Sequence, residues 1–104
     1  MDKIAALTEI LTQDPTNAFA RYGLAMECIN AGDTAAAEGH FSQLVTAHPE
    51  YVPGYYHYGQ LQVRLGHGDD ARKTFRAGIA AAQKAGDAHA LSELEAALEE
   101  CGAA

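Results

Sequence analysis

The sequence has few basic residues and few prolines, and each shortage excludes one class of protein. Lys and Arg number 7 against 14 Asp and Glu, which gives a formal net charge of −7. Nucleic-acid binding needs clustered positive charge that neutralises phosphates, so we expect no nucleic-acid partner. With 3 Pro and 48% hydrophobic residues, the composition is not that of a disordered or low-complexity chain. We therefore expect residues 1–104 to form one domain with its own core.

Cysteine and the usual catalytic motifs are also scarce. Cys28 and Cys101 lie too far apart to form a CxxC motif, and we expect both to be reduced, structural thiols. No two of the five histidines share the i,i+4 spacing that presents a metal pair on a helix. The sequence has no GxSxG motif, phosphate loop or dinucleotide fingerprint. These absences predict a protein that is not an enzyme and that has no metal or cofactor.

Long apolar runs are missing as well. The first twelve residues contain Asp2 and Glu9 and lack the hydrophobic region of a signal peptide. No stretch approaches the ~20 apolar residues that a membrane-spanning helix needs. We expect a cytoplasmic protein with no membrane partner.

What the sequence does contain is an internal repeat with a period of 34 residues. One shift aligns many identical residues at once, which indicates a repeat protein. The identical pairs are Pro15 with Pro49, Tyr22 with Tyr56, Gly32 with Gly66, Ala37 with Ala71, Phe41 with Phe75 and Ala47 with Ala81.

Each period predicts two helices joined by a tight turn. Gly32 and Gly66 can adopt the left-handed conformation that closes a helix, and Pro15 and Pro49 end the helices before them. Apolar residues at helical spacing predict one buried face on the second helix of each pair. These stripes are Ala37, Phe41 and Leu44 in the first repeat and Ala71, Phe75 and Ile79 in the second.

The alternation of small and large residues resembles the tetratricopeptide repeat (TPR) family. The matching residues are Leu24, Ala25, Gly32, Ala37, Phe41 and Pro49 in one repeat, and Tyr55, Tyr58, Gly59, Gly66, Ala71 and Phe75 in the next. The resemblance implies an all-α fold, a right-handed α-α superhelix of about six helices. Its parts are a half-repeat helix at 1–14, repeats at 18–51 and 52–84, and a C-terminal capping helix at 87–101. Arg21, Cys28, Gly78 and Gln83 depart from the family pattern.

The last segment loses the 34-residue phase but keeps a helical pattern. Asp87 can cap a helix, and the apolar residues Leu91, Leu94, Leu98 and Cys101 recur at helical spacing. We expect an amphipathic helix that closes the array, because repeat arrays need terminal caps with a polar outer face.

The resemblance also implies a concave groove that binds a peptide or helical segment. Carried over by position in the repeat, its lining is Phe19, Tyr22, Met26, Ile29 and Asn30, then Tyr56, His57, Gln60, Val63 and Arg64. Alternatively, Phe19, Tyr22 and Met26 pack against the N-terminal helix or the C-terminal capping helix. Where some members of the family hold a chaperone carboxylate with Lys, Asn and Arg, this chain has Tyr22, Met26, His57, Asp87 and Leu91, so an apolar or amphipathic partner is expected.

Three hypotheses for function follow. The first is a protein-interaction module that uses this groove. The second is a scaffold that forms homo-oligomers through an apolar face. The third, which rests on the histidine and carboxylate content alone, is a protein that binds a small molecule or a metal.

Overall fold

The computed structural model describes residues 2–102, which contain six α-helices, one short 3-10 turn and no strand. The all-α fold with six helices is therefore confirmed. Met1 and residues 103–104, which the predicted domain includes, lie outside the described residues. Contacts divide the chain into two compact units, Met1–His48 and Pro49–Ala104, and the single domain and its repeat boundaries stay predictions. Within residues 2–102, no helix is both long and apolar enough to cross a membrane.

The first unit contains three helices, with the second packed against both of the others. Each helix begins after a residue whose side chain accepts a hydrogen bond from a backbone N–H of the first turn. Asp2 accepts from the N–H of Ala5 at 2.7 Å, and Asn17 and Asp33 cap the next two helices in the same way. The helices are α1 (Lys3–Gln13), α2 (Ala18–Asn30) and α3 (Thr34–Ala47).

Small residues let the helices of the first unit approach closely. Ala25 of α2 and Phe41 of α3 are both fully buried. Gly23, also on α2, approaches α1, because a Cβ atom there would lie 3.2 Å from Cδ1 of Leu7. Aromatic and branched side chains fill the space beside these small residues, which is how close-packed helix pairs avoid voids.

The second unit repeats the helix pair and adds a third helix. Its longest helix packs against both of the others. Where the helix that contains Gly59 meets this longest helix, a Cβ atom on Gly59 would lie 2.6 Å from Cζ of Phe75 and closer still to Cε1. The backbone of one helix therefore rests directly on a buried ring of the other. The elements are a 3-10 turn (Val52–Gly54), α4 (Tyr56–Arg64), α5 (Gly68–Ala85) and α6 (Ala88–Glu100).

Gly78 departs from the family pattern because two neighbours occupy the space of a methyl group. A Cβ atom there would lie 2.7 Å from Cβ of Tyr55 and 3.1 Å from Cδ1 of Leu94. Tyr55 is itself fixed, since its hydroxyl donates a 2.6 Å hydrogen bond to the carbonyl of Pro49. Leu94 is the buried residue of α6, so the predicted amphipathic cap packs on α5 through this glycine.

The two turns predicted from the repeat share one hydrogen-bonding pattern. Gly32 and Gly66 have positive φ angles of 80° and 82°, which a residue with a side chain rarely adopts. After them, the N–H of Asp33 donates to the carbonyl of Cys28 at 2.9 Å, and the N–H of His67 donates to that of Gln62 at 2.8 Å. Both are Schellman turns, in which the helix end satisfies its own free carbonyls.

Candidate functional site

The five groove residues predicted in the first repeat all lie on α2. Phe19, Tyr22, Met26 and Ile29 follow one another at steps of three or four residues, which places them on one face of that helix, and Asn30 lies four residues after Met26. Phe19 is the most exposed large apolar side chain of the described residues, at 71% of its surface. Asn30 is also exposed, whereas Tyr22, Met26 and Ile29 are half-buried. We call these five residues the α2 face.

The five groove residues predicted in the second repeat lie on α4. Gln60, Val63 and Arg64 are exposed, and Tyr56 and His57 are half-buried. The Nε2 atom of Gln60 donates to the hydroxyl of Tyr56 at 2.9 Å, and the rings of Tyr56 and His57 meet edge to face with centroids 5.3 Å apart. These residues, which we call the α4 face, are more polar than the α2 face.

Burial separates the α2 face into two groups. Phe19 is open to a partner, whereas Tyr22, Met26 and Ile29 already contribute part of their surface to packing. The alternative that Phe19, Tyr22 and Met26 pack against the flanking helices does not describe Phe19, which is 71% exposed, whereas Tyr22 and Met26 are half-buried. Which of them contact a partner stays a prediction.

Sequence reasoning missed a pair of side chains in the first unit. Nη1 of Arg21 on α2 donates to Nδ1 of His40 on α3 at 3.2 Å. Burial, and then the charge of Arg21, lower the pKa of His40 below its ordinary value, while Asp33 acts in the opposite direction. A neutral imidazole with Nδ1 as acceptor fits this geometry. The sequence feature that could have indicated this pair is Arg21 itself, because the family has a large aromatic residue at that position.

Two buried residues at equivalent positions of the repeat are excluded from the binding faces. Cys28 is buried, and its pKa is raised by desolvation and then by Asp33 and Glu27, so it is a poorly reactive thiol. Its counterpart Gln62 is 5% exposed, and its Oε1 has no hydrogen-bond partner in the described chain. Both side chains lie in the interior of their helix pairs. Within residues 2–102, no three His, Cys, Asp or Glu residues are grouped so that they could hold a metal ion.

Helix pairs that recur every 34 residues, with glycine-closed turns and small residues at the helix contacts, define an α-helical hairpin repeat protein. The family model described as the tetratricopeptide repeat matches residues 28–98. The chain therefore belongs to the TPR family, as its sequence predicts.

Known relatives agree with this assignment. A TPR repeat-containing protein of Pseudomonas aeruginosa is 31% identical over 91 residues, which cover 88% of this chain and 87% of the relative. A tetratricopeptide repeat domain protein of Salinibacter ruber is similar in its solution NMR structure, at 39% identity and a TM-score of 0.80, over 84% of this chain and 88% of that one. Its crystal structure matches at 38% identity and a TM-score of 0.81, over 83% of this chain and 97% of that one.

A more distant structure shows the fold alone. A protein of Bordetella parapertussis has a solution structure that matches with a TM-score of 0.80 at 24% identity, over 98% of this chain and 89% of that one. The all-α TPR fold is thus confirmed by structures from two other organisms.

Proposed function

We propose that this chain is a non-catalytic binding module, in which the α2 face and the α4 face are each a surface that contacts a peptide or helical segment of another protein. The TPR family is a general family of protein-interaction modules, and this chain belongs to it. The observation that carries the proposal for this chain is the exposure of Phe19 at 71%. A large aromatic side chain in water at a fixed helical position is a typical anchor for a partner.

The chemistry of the two faces favours an apolar or amphipathic helix as the partner. Tyr22 and Met26 offer broad, adaptable contact area, and Gln60 and Arg64 can orient the partner by hydrogen bonds and charge. Within the family, the carboxylate clamp needs basic and amide groups at positions that include Tyr22 and Met26. We therefore do not propose a chaperone C-terminus as the partner. The cytoplasm is the compartment that this proposal assumes.

The direct test compares alanine substitutions at exposed apolar residues on and off the proposed faces. Phe19→Ala and Val63→Ala remove anchors from the α2 and α4 faces. Leu65→Ala is the matched control, because Leu65 is 37% exposed and lies on roughly the opposite side of the helix from Val63, given about 3.6 residues per turn. Partners captured by the wild type are purified, and their affinities for all variants are measured by calorimetry.

We expect Phe19→Ala to weaken binding by about tenfold or more, as truncation of an interface anchor does. Val63→Ala should have a smaller effect, and Leu65→Ala should have none. A partner that binds the Phe19→Ala protein as tightly as the wild type would contradict the assignment of the α2 face.

A second candidate function is self-association through α1. This helix has no fully buried residue, and Ile4 and Ile10 are 39% and 43% exposed. Isolated exposed apolar residues are common in monomers, so a measurement of the oligomeric state is needed to test whether α1 mediates self-association. Light scattering across a range of concentrations should show dimers that dissociate in an Ile4→Glu, Ile10→Glu variant. A wild-type protein that is monomeric at every concentration removes this candidate.

A further inference from the structure

Arg21 has no carboxylate partner within the part of the chain that the structure describes. The guanidinium donates one hydrogen bond, to Nδ1 of His40, and this partner is neutral when the imidazole is unprotonated. The carboxylate of Asp33, whose charge acts on His40, accepts a hydrogen bond from the N–H of Ala36 at 3.1 Å. Arg21 is only half-buried. Its remaining donors are therefore available to an acceptor that comes from outside.

A cavity of about 460 Å³ adjoins Arg21 on one side. Its walls combine the polar side chains of Asn17, Ser42, Thr46 and His48 with apolar ones that include Pro15, Leu44 and Ala47. Hydroxyl and amide groups can solvate a charged ligand head or hold the waters around it. The polar groups on this side of Arg21 can therefore solvate the charged end of a ligand.

An apolar cavity of about 340 Å³ adjoins Arg21 on the other side, between helices α1, α2 and α3. Its walls combine the apolar side chains of Ile4, Leu11, Leu24 and Cys28 with Thr8, Thr12, Arg21 and His40. Ligand sites commonly combine apolar walls with a few polar groups that fix orientation, and volumes of roughly 300–1,000 Å³ are typical. This cavity lies at the small end of that range, so it suits a short hydrocarbon chain.

We propose that Arg21 and this apolar cavity bind a small aliphatic carboxylate. The planar guanidinium fork matches the two oxygens of a carboxylate, and the hydrocarbon chain lies against Ile4, Leu11 and Leu24. Inorganic phosphate has the charge but not the hydrocarbon, and an alcohol has the hydrocarbon but not the charge. The net charge of −7 opposes a general accumulation of anions, so binding depends on this one cation.

The test is a titration followed by the backbone amide signals of the protein in NMR spectra. Sodium butyrate, 1-butanol and inorganic phosphate are added separately at constant ionic strength and pH. We expect saturable shifts for butyrate alone, clustered at residues around Arg21 and Leu24. Arg21→Gln keeps hydrogen-bond donors but removes the charge, and it should weaken butyrate binding by about tenfold. Arg76→Gln, an exposed charge on α5, is the matched control and should bind like the wild type.

Several results would overturn the proposal. They are the absence of saturable local shifts with butyrate, equal binding of phosphate or butanol, or unchanged binding in Arg21→Gln. If the Arg21→Gln protein does not fold, as shown by its amide spectrum, Arg21→Lys decides. It keeps the charge but loses the fork, so binding weakened several-fold supports the proposal, and unchanged binding contradicts it.

Discussion

Two glycines that both lie within α-helices but have different surroundings show how single residues fit this fold. Gly59 lies against the ring of Phe75, which is 1% exposed and cannot move freely, whereas Gly39 in the middle of α3 has open space where its Cβ would lie. Helical position alone would favour alanine at both sites, because glycine costs about 0.5–1 kcal/mol in a helix interior. Packing reverses the preference at Gly59.

We therefore predict opposite effects of the same substitution. Gly59→Ala should lower the free energy of unfolding by about 1–3 kcal/mol, because the added methyl overpacks the contact with Phe75. Gly39→Ala should raise it by about 0.5–1 kcal/mol. Denaturant unfolding monitored by circular dichroism measures both. An increase in stability for Gly59→Ala would mean that α4 and α5 do not approach each other as described.

The half-buried His40 predicts a pH dependence of stability. Burial and Arg21 lower the pKa of His40, so the unfolded chain binds the proton more readily than the folded protein. Stability from this residue is therefore lost as the pH falls from above about 6.5, the ordinary pKa, towards the lower pKa of the folded state. As the pH falls over this range, the free energy of unfolding of the wild type should decrease relative to that of the His40→Gln variant. A difference that stays constant with pH would contradict the lowered pKa.

At the scale of the elements, the two helix pairs share one design. In each pair a small residue of the first helix, Ala25 or Gly59, is buried, and so is the phenylalanine of the second, Phe41 or Phe75. Close approach of two helices needs a small residue at the contact and a large one beside it. Equal spacing in the sequence thus produces equal packing in both units.

Removing either phenylalanine tests this shared packing. Phe41→Ala and Phe75→Ala should each lower the free energy of unfolding by about 3–5 kcal/mol, through lost burial and a cavity. Phe19→Ala is the internal control. Because Phe19 is 71% exposed, its loss should change stability by less than about 0.5 kcal/mol. Comparable effects at all three positions in denaturant unfolding would show that the repeat phase is misplaced.

Sequence patterns predicted the elements well because packing repeats with the period of the chain. The positive-φ turns at Gly32 and Gly66, the stripe around Phe41 and the cap at Asp87 all lie where the pattern put them. The 3-10 turn at Val52–Gly54 was not predicted, since it delays the start of α4 without changing the period. Glycine is required at position 78 because Tyr55 and Leu94 occupy the space of a Cβ atom. Such contacts between residues distant in sequence leave no signal in the local sequence pattern.

The binding residues were less predictable than the fold. Positions on the α2 and α4 faces follow from the repeat register, but the exposure of Phe19 and the half-burial of Tyr22 depend on neighbouring helices. Arg21 looked like a defect in the pattern, and only the structure shows its bond to His40. Surface side chains are free of the packing that imposes the repeat, so the repeat carries little information about them.

For the whole molecule, we propose that the α2 face and the α4 face of this TPR chain are each a surface that contacts a protein partner. The most direct measurement is hydrogen–deuterium exchange of the chain alone and with a purified partner. Amides are protected where a partner stabilises local structure. We predict slower exchange in residues 18–30 and 56–64 on binding, with α6 unchanged. Protection confined to α1 or α6, with α2 and α4 unaffected, would contradict it.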